Sequence, residues 1–581
     1  MAADILLLNG RVFRGFAFGA PIPPGSDAGA RPPDGPTAVA IREGRIAWVG
    51  SDAQALRDWR SPATEVLDAR GGLIVPGFDD AHIHVLSGGR SLSRVNLYPL
   101  ATVDEIQRRI REYAAERPED EWILGRGWLY APFPGGLPTR ALLDAVVADR
   151  PAFLGCYDGH TAWVNTRALA LAGIDRSTPD PVNGAIVRDA ATGEPTGVLK
   201  EAAMELVRRI VPTPTREQDE ASLRRAIGAL NAAGITSAQD AWTTVAELPL
   251  WRTVREQGAL TVRARLALPM EPGQTLDAWR GRLDEYATRV ADLEGDPWLT
   301  SGILKAMADG VIESRTAAML APYAGDTSSG TPEFAAEELD AFVAEADRRG
   351  WQIEIHAIGD LGVRMTLDAF ERAAAANGPW TGSLRGGAAG RATLREAIAT
   401  PGTLERRHRV EHIETIAAED IARFGTLGVV ASMQPYHGVP TPNQIDVWSA
   451  AIGPERASRA WAYRSLVEHG AVLALGSDWA VVPFDPMLEL HVATTRQDDD
   501  GQPADGWLPD QRLPLPLALA AYGWGSAYAA GAEHRRGRIE PGLDADLAVL
   551  DRDLLAEGPG AILGTTVTAT LVGGRIVHRE A

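Results

Sequence analysis

One cysteine, Cys156, stands in 581 residues, which excludes an intrachain disulfide and with it the disulfide-stapled folds. No stretch of eighteen apolar residues, the length that crosses a bilayer as a helix, occurs anywhere. Positive charge is in short supply. The 57 Lys and Arg face 77 Asp and Glu, and the formal net charge of -20 argues against a phosphate backbone or an anionic membrane surface as partner. The opening Met1-Ala2-Ala3-Asp4-Ile5-Leu6-Leu7-Leu8-Asn9-Gly10-Arg11 carries an acid where a secretory signal carries bases, and its apolar run is too short, so the expected location is the cytoplasm. There is no internal repeat. Hydrophobic residues at 45% and charged ones at 23% are ordinary for a soluble globular chain and exclude disorder and fibre.

Eleven histidines in a chain of this length produce a His-x-His pair by chance often enough that the pair in Asp80-Ala81-His82-Ile83-His84 needs support from its setting. It closes the apolar run Leu73-Ile74-Val75-Pro76-Gly77-Phe78, which reads as a buried strand. A strand alternates its faces, so His82 and His84 point the same way and can grip one metal ion between them. Four more short apolar runs end on a residue able to hold a metal: Ile303-Leu304-Lys305, Ile353-Glu354-Ile355-His356, Val410-Glu411-His412 and Val472-Leu473-Ala474-Leu475-Gly476-Ser477-Asp478. Histidines and a carboxylate for Zn2+, an open position for water and a base to take its proton are the parts of a metal-dependent hydrolase.

At roughly 150 residues per domain the length suggests about four domains, but single α/β barrels commonly run to ~250 residues or more, so two or three are expected. Residues 1-72 alternate short strand-like runs with turns, around a Pro/Gly-rich loop from Ala20 to Pro36, and 537-581 echo them, so the two ends predict one composite β-sandwich domain. Between them strand-like runs alternate with helical ones, the pattern of a parallel sheet or barrel. Barrel strands are placed near 73-84, 235-240, 262-267, 301-308, 352-357, 409-414, 428-433 and 472-478, which fits a distorted TIM-like (β/α)8 barrel over 73-94 and 231-536. The stretch 95-230 is too long for one crossover and predicts an inserted α/β subdomain lining the active site, with helices from Val103 to Arg117 and from Leu223 to Ala233. Ala373 to Gly402 and Arg496 to Gln511 read as surface loops. In such a barrel the carboxyl ends of strands one, four, five, six and eight meet at one mouth.

The ladder His82-x-His84, Lys305, His356, His412, Asp478 resembles the amidohydrolase superfamily. Finer segments resemble its family 3, the YtcJ-like branch that includes N-substituted formamide deformylase. They are Val75 to His84, Asp158-Gly159-His160-Thr161-Ala162-Trp163-Val164-Asn165, Gly184 to Asp189, Lys305 through Asp309-Gly310 to Arg315-Thr316-Ala317, Ile355 to Asp360, Val410-Glu411-His412, Gln434-Pro435-Tyr436-His437, Leu475 to Asp478, and Glu540 to Leu547 at the return to the β-domain. The resemblance implies that His82 and His84 hold the more buried metal, that Lys305 is the lysine often carboxylated on its side-chain nitrogen to bridge two ions, and that His356 and His412 hold the second. Asp478 would be both ligand and catalytic base. The implied cofactor is Zn2+, one ion or two, since a free lysine is a cation and a poor ligand until CO2 adds to it. Substrate-facing candidates are Trp128, His160, Asp309, Arg315, Gln434 and His437.

Plainer readings stand beside these. Lys305 also fits an ordinary lysine at a strand end, His160 and His437 capping histidines, and Trp128 and Tyr130 the core of the insert. Asp309 and Arg315 also fit an ion pair ordering the loop after strand four, and Asp360 a carboxylate orienting a ligand. His408, His469, His491, His534 and His578 read as surface or helix histidines. Ile312-Glu313, where the family has a small Ser-Leu-Gly-Ser run, would border the pocket and alter substrate preference. The function this implies is hydrolysis of a non-peptide C-N bond, amide or N-substituted formamide, in a small molecule. Deamination, carbamate or ester cleavage or a non-hydrolytic rearrangement at the same metal site is the alternative, and a catalytically silent binding protein a third. The expected partners are the small-molecule substrate and a second copy in a homodimer, with no nucleic acid and no membrane.

Overall fold

The computed structural model describes residues 2–18, 35–157, 159–378 and 406–580. Eight parallel strands form one sheet in sequence order: β1 (Phe78–Ile83), β2 (Ile235–Asp240), β3 (Arg263–Pro269), β4 (Leu299–Met307), β5 (Gln352–Ala357), β6 (Arg409–His412), β7 (Val430–Met433) and β8 (Leu473–Leu475). Nearly every residue in them is buried, as parallel strands covered on both faces require. Among the described residues no ladder joins β8 to β1, but Asp478 N donates to His82 O (2.7 Å) and His84 N donates to Trp479 O (2.6 Å). The Asp80 carboxylate adds bonds from Ser477 N (3.0 Å) and Ser477 Oγ (2.7 Å). Gly476 permits this approach, because a Cβ there would lie 2.5 Å from His82 N. The sheet is a nearly closed, distorted TIM-like barrel.

The apolar run expected to form one strand from 73 to 84 is cut at Gly77. Leu73–Pro76 pairs antiparallel with Leu547–Leu550, whereas Phe78–Ile83 pairs parallel with β2. The cut is steric and polar at once. A Cβ on Gly77 would lie 2.2 Å from Thr236 Cγ2, and its N–H is taken by Asp546 O at 2.9 Å. The last strand is likewise shorter than expected, ending at Leu475 so that Gly476, Ser477 and Asp478 are free to turn toward β1.

Both chain ends build a β-sandwich. One sheet runs Arg45–Gly50, Ala38–Arg42, Ile5–Leu8, Glu65–Asp68; the other runs Arg11–Val12, Leu73–Pro76, Leu547–Leu550, Val567–Val572, Arg575–Arg579. Ile5 and Leu7 enter the core with Ile74, Leu547 and Leu571, while Leu6 and Leu8 pack with Ala38, Ala40 and Ala55 on the other face. That is the period of two that a strand dictates.

Leu86–Ala226 with Ala480–Val482 form a separate compact unit. Its sheet runs Gly184–Arg188, Pro195–Glu201, Thr161–Val164, Ala152–Cys156, Ile123–Trp128, Val95–Asn96. The helix Val103–Glu116 opens with a capping box between Thr102 and Glu105 and buries Ile106, Ile110, Tyr113 and Ala114, one stripe at helical spacing. A second helix, Arg216–Ala232, starts a full turn and more before the expected Leu223. The loop expected from Ala373 begins later, because Ala373 to Asn377 continue the helix Asp360–Asn377; residues 379–405, and most of Ala20 to Pro36, lie outside the described residues. Among the described residues no helix is long and apolar enough to cross a membrane.

Candidate metal centre

The carboxyl ends of β1, β4, β5, β6 and β8 bring one set of side chains together. His82, His412 and Asp478 each offer a ligand atom, all within 4.8 Å of one another and all buried. His84 Nε2 lies 3.1 Å from Asp478 Oδ1, Lys305 Nζ lies 3.3 Å from His82 Nε2, and the His356 and His412 rings are 4.5 Å apart. All six ladder residues therefore meet at one mouth.

His412 gets there against the strand's own alternation. Glu411 Oε2 is 2.7 Å from His82 Nδ1, and the next ring along, His412, is 4.9 Å from the His82 ring. Neighbours on a regular strand face opposite ways. Here His412 and Ile413 take φ of 70° and 51°, left-handed values costly for bulky side chains, and the turn swings the His412 ring inward. Asp478, at φ 59°, leaves β8 the same way.

Burial shapes the charges. It brings Lys305 down to about 8 and, with the Lys305 charge, brings His82 down to about 4; His412 is driven well below its usual value by burial and its histidine neighbours. Burial opposes ionisation of Asp478 too, but the His84 hydrogen bond and the surrounding imidazoles hold it well below the usual carboxylate range. Neutral imidazoles around an ionised carboxylate are what a divalent cation requires. His412 Nδ1 is buried with no hydrogen-bond partner among the described residues, an orphan that a metal satisfies. The donor set fits a divalent metal ion.

Around this set lie residues the sequence did not single out. Glu411, just described, is one. Glu414 is another: its Oε1 is 3.7 Å from His437 Nδ1, its Oε2 accepts from Trp448 Nε1 (2.6 Å), and His437 Nε2 is 3.4 Å from Asp478 Oδ2. Burial works against a charged His437, yet Glu414 and Asp478 keep its pKa above the ordinary value, and Glu313 adds to the same field. The signal for Glu411 was present as Arg409 and Glu411 two apart in an apolar run, where surface strands put charge outside and this barrel puts it inside.

The substrate-facing candidates separate. Gln434 is buried at the end of β7, its amide N and O without hydrogen-bond partners among the described residues, and His437 touches Asp478. Asp309 accepts from Ala318 N (2.8 Å), Ile358 N (3.0 Å) and Gly359 N (2.8 Å), so it pins the segment after β4. Arg315 pairs not with Asp309 but with Asp326 at 2.7 Å, because φ of 62° at Arg315 directs it outward to a half-exposed position. Asp360 accepts from Leu320 N (2.8 Å), a backbone contact rather than a ligand's ring. Trp128 is corrected from substrate wall to core: it is fully buried in the insert, its indole N–H donating to Leu154 O (2.9 Å) and its ring edge-on to Tyr130 and Phe133. His160, in the same unit, pairs with Glu201 at 3.0 Å, and Asp158 lies outside the described residues. His408 is corrected from surface to interior, its Nε2 3.0 Å from Asp347 and its ring stacked on Phe370.

Comparison with known proteins bears on this arrangement. The sequence matches the amidohydrolase family over residues 65–578. It is 31% identical to the protein LONG AFTER FAR-RED 3 of Arabidopsis thaliana (100% of this chain, 92% of that one) and 29% identical to the putative amidohydrolase YtcJ of Bacillus subtilis (94% and 96%). Identity to the N-substituted formamide deformylase of Arthrobacter pascens is 27% (92% and 94%). An uncharacterized metal-dependent hydrolase from Pyrococcus furiosus shares the fold with a TM-score of 0.66 at 24% identity, over 95% of this chain and 99% of that one.

Proposed function

Since the chain belongs to the amidohydrolase family, we propose that this metal-dependent hydrolase cleaves a non-peptide C-N bond, in an amide or N-substituted formamide of a small molecule. The observation that carries the reading is the convergence of His82, His412 and Asp478 within 4.8 Å. The likeness to an N-substituted formamide deformylase over nine-tenths of both chains supports the choice of bond. His82 and His84 would hold one ion and His356 and His412 a second, with Lys305 bridging them and Asp478 as a further ligand; a single ion would instead sit among His82, His412 and Asp478. His356 Nε2 donates to Gly310 O (3.2 Å), which leaves its Nδ1 as the nitrogen with a lone pair. Lys305, held at about 8, has a larger neutral fraction than an exposed lysine, and its Nζ lone pair can add to CO2 with loss of a proton to give an anionic carbamate.

When bound, a divalent cation lowers the pKa of water from 15.7 to about 7 and polarises a carbonyl oxygen. Asp478, ionised and at the centre of the cluster, takes the proton of the attacking water. Its Oδ2 faces His437 Nε2 at 3.4 Å, and His437 in turn faces Glu414 at 3.7 Å, so His437, whose protonated form both carboxylates favour, steadies the charge on Asp478. Return of the proton to the departing nitrogen completes hydrolysis. The test is to strip the protein with a chelator, measure hydrolysis of a panel of N-formyl and N-acyl amines, and reload with Zn2+. Loss and recovery of at least about 100-fold is expected, given what general-base and metal terms contribute. Zinc-loaded protein that cleaves esters or deaminates but leaves every amide intact would contradict the assigned bond.

A further inference from the structure

Beneath the cluster the barrel interior is charged where such barrels are filled with branched apolar side chains. Arg409 on β6 is fully buried between two carboxylates: it forms an ion pair with Glu354 of β5, and its Nε is 3.0 Å from Glu411 Oε1. Its Nη1 donates to Gln239 Oε1 of β2 (2.6 Å), Gln239 Nε2 donates to Asp79 of β1 (3.1 Å), and Asp79 accepts from Arg536 (2.9 Å). At the top of this ladder Glu411 Oε2 meets His82 Nδ1 at 2.7 Å, both side chains being out of contact with solvent.

From this we propose that Glu411 is a positioning residue of the metal centre, held by Arg409 so that it fixes His82 with Nδ1 protonated and Nε2 turned to the cation. The proposal rests on the reading of His82 as a metal ligand. One contact fixes the tautomer. A carboxylate oxygen can only accept, so His82 Nδ1 must donate to Glu411, and the lone pair is left on His82 Nε2, which lies 3.3 Å from Lys305 Nζ. Glu411 is kept from ligating in its own right because one oxygen faces Arg409 and the other His82. A histidine ligand whose far nitrogen is bonded to a carboxylate is more basic and loses less orientational freedom on binding, and removing such a partner typically weakens metal binding 10–100-fold.

The experiment is a zinc titration of the full chain against a chromogenic chelator, with Glu411→Gln as the variant. Gln keeps the size of the side chain and can still accept from Nδ1, but it removes the negative charge, and Arg409 retains Glu354. The expected result is about a 10–100-fold rise in the zinc Kd, a shifted visible spectrum of the Co2+ form, and partial rescue in Glu411→Asp. Unchanged zinc affinity and an unchanged Co2+ spectrum overturn the proposal. If Glu411→Gln does not fold, the wild-type protein decides the matter. Histidine-selective 15N labelling should then show the Nδ1-protonated tautomer at His82, assigned with His82→Asn, and the Nε2-protonated form overturns it. Wild-type protein that binds no zinc fails the metal reading as well, whereas zinc-binding wild type with an indifferent Glu411→Gln fails this inference alone.

Discussion

Several residues of the candidate centre hold unfavourable backbone positions. His412 and Asp478 both leave their strands with φ near 60–70°, a conformation other residues of their bulk avoid, and both place a ligand atom in the same small volume. Asp478 is also the proposed base. Asp478→Asn keeps the volume and one carbonyl oxygen but cannot take a proton, so kcat should fall by about 100- to 10,000-fold while the unfolding temperature changes little. A rate within a few-fold of wild type would place the base elsewhere. The candidate ladder stood out in the sequence because each member closes an apolar run. Glu411 and Glu414 stood out less, since a charged residue within or just past a strand reads as solvent-facing until the interior of the barrel is known to be polar. Trp128 misled for the opposite reason: an aromatic beside glycines fits a pocket wall and a core equally well, and only its satisfied indole N–H and full burial decide between them.

At the scale of elements, burial on both faces made the strands visible, and steric detail at glycine set their ends. The run from Leu73 to Phe78 is apolar enough to pass for the body of one strand reaching the histidine pair, yet Gly77 divides it between the sandwich and the barrel because of what Thr236 and Asp546 present to it. That information lies 159 residues and more away along the chain. Helices are joined to strands by buried charge as well as by packing. Asp347, in the last turn of the helix Ala336–Arg348, is fully buried and accepts from His408 Nε2 (3.0 Å), Arg406 Nε (2.6 Å) and Asn377 Nδ2 (2.7 Å), which ties that helix to the approach of β6. Burial alone would raise its pKa; the hydrogen bonds from His408 and Arg406 outweigh it and bring it down to about 2. A carboxylate depressed on folding contributes stability that is present above its unfolded value near 3.8 and is lost as the pH falls through 2. Asp347→Asn should therefore cost about 2 kcal/mol at pH 7, with the gap to wild type closing between roughly pH 5 and 2 in denaturant melts. A gap that stays constant with pH would mean the contribution is not ionic.

The whole molecule solves one problem of distance. Its candidate ligands run from residue 82 to residue 478, and barrel closure brings them together through Asp478 N on His82 O, His84 N on Trp479 O and the Asp80–Ser477 bonds. The eight parallel strands and the sandwich built from both chain ends were legible because alternation and apolar runs are local signals repeated along the chain. The polar ladder inside the barrel was not, because it is made of pairs such as Arg409 with Gln239 and Arg536 with Asp79 that no local pattern reveals. The central claim is that these residues meet around a cation. Crystals of zinc-loaded protein measured at the zinc absorption edge test it most directly. The account predicts an anomalous peak within bonding distance of His82, His412 and Asp478; a peak elsewhere, with these three side chains left unligated, would contradict it.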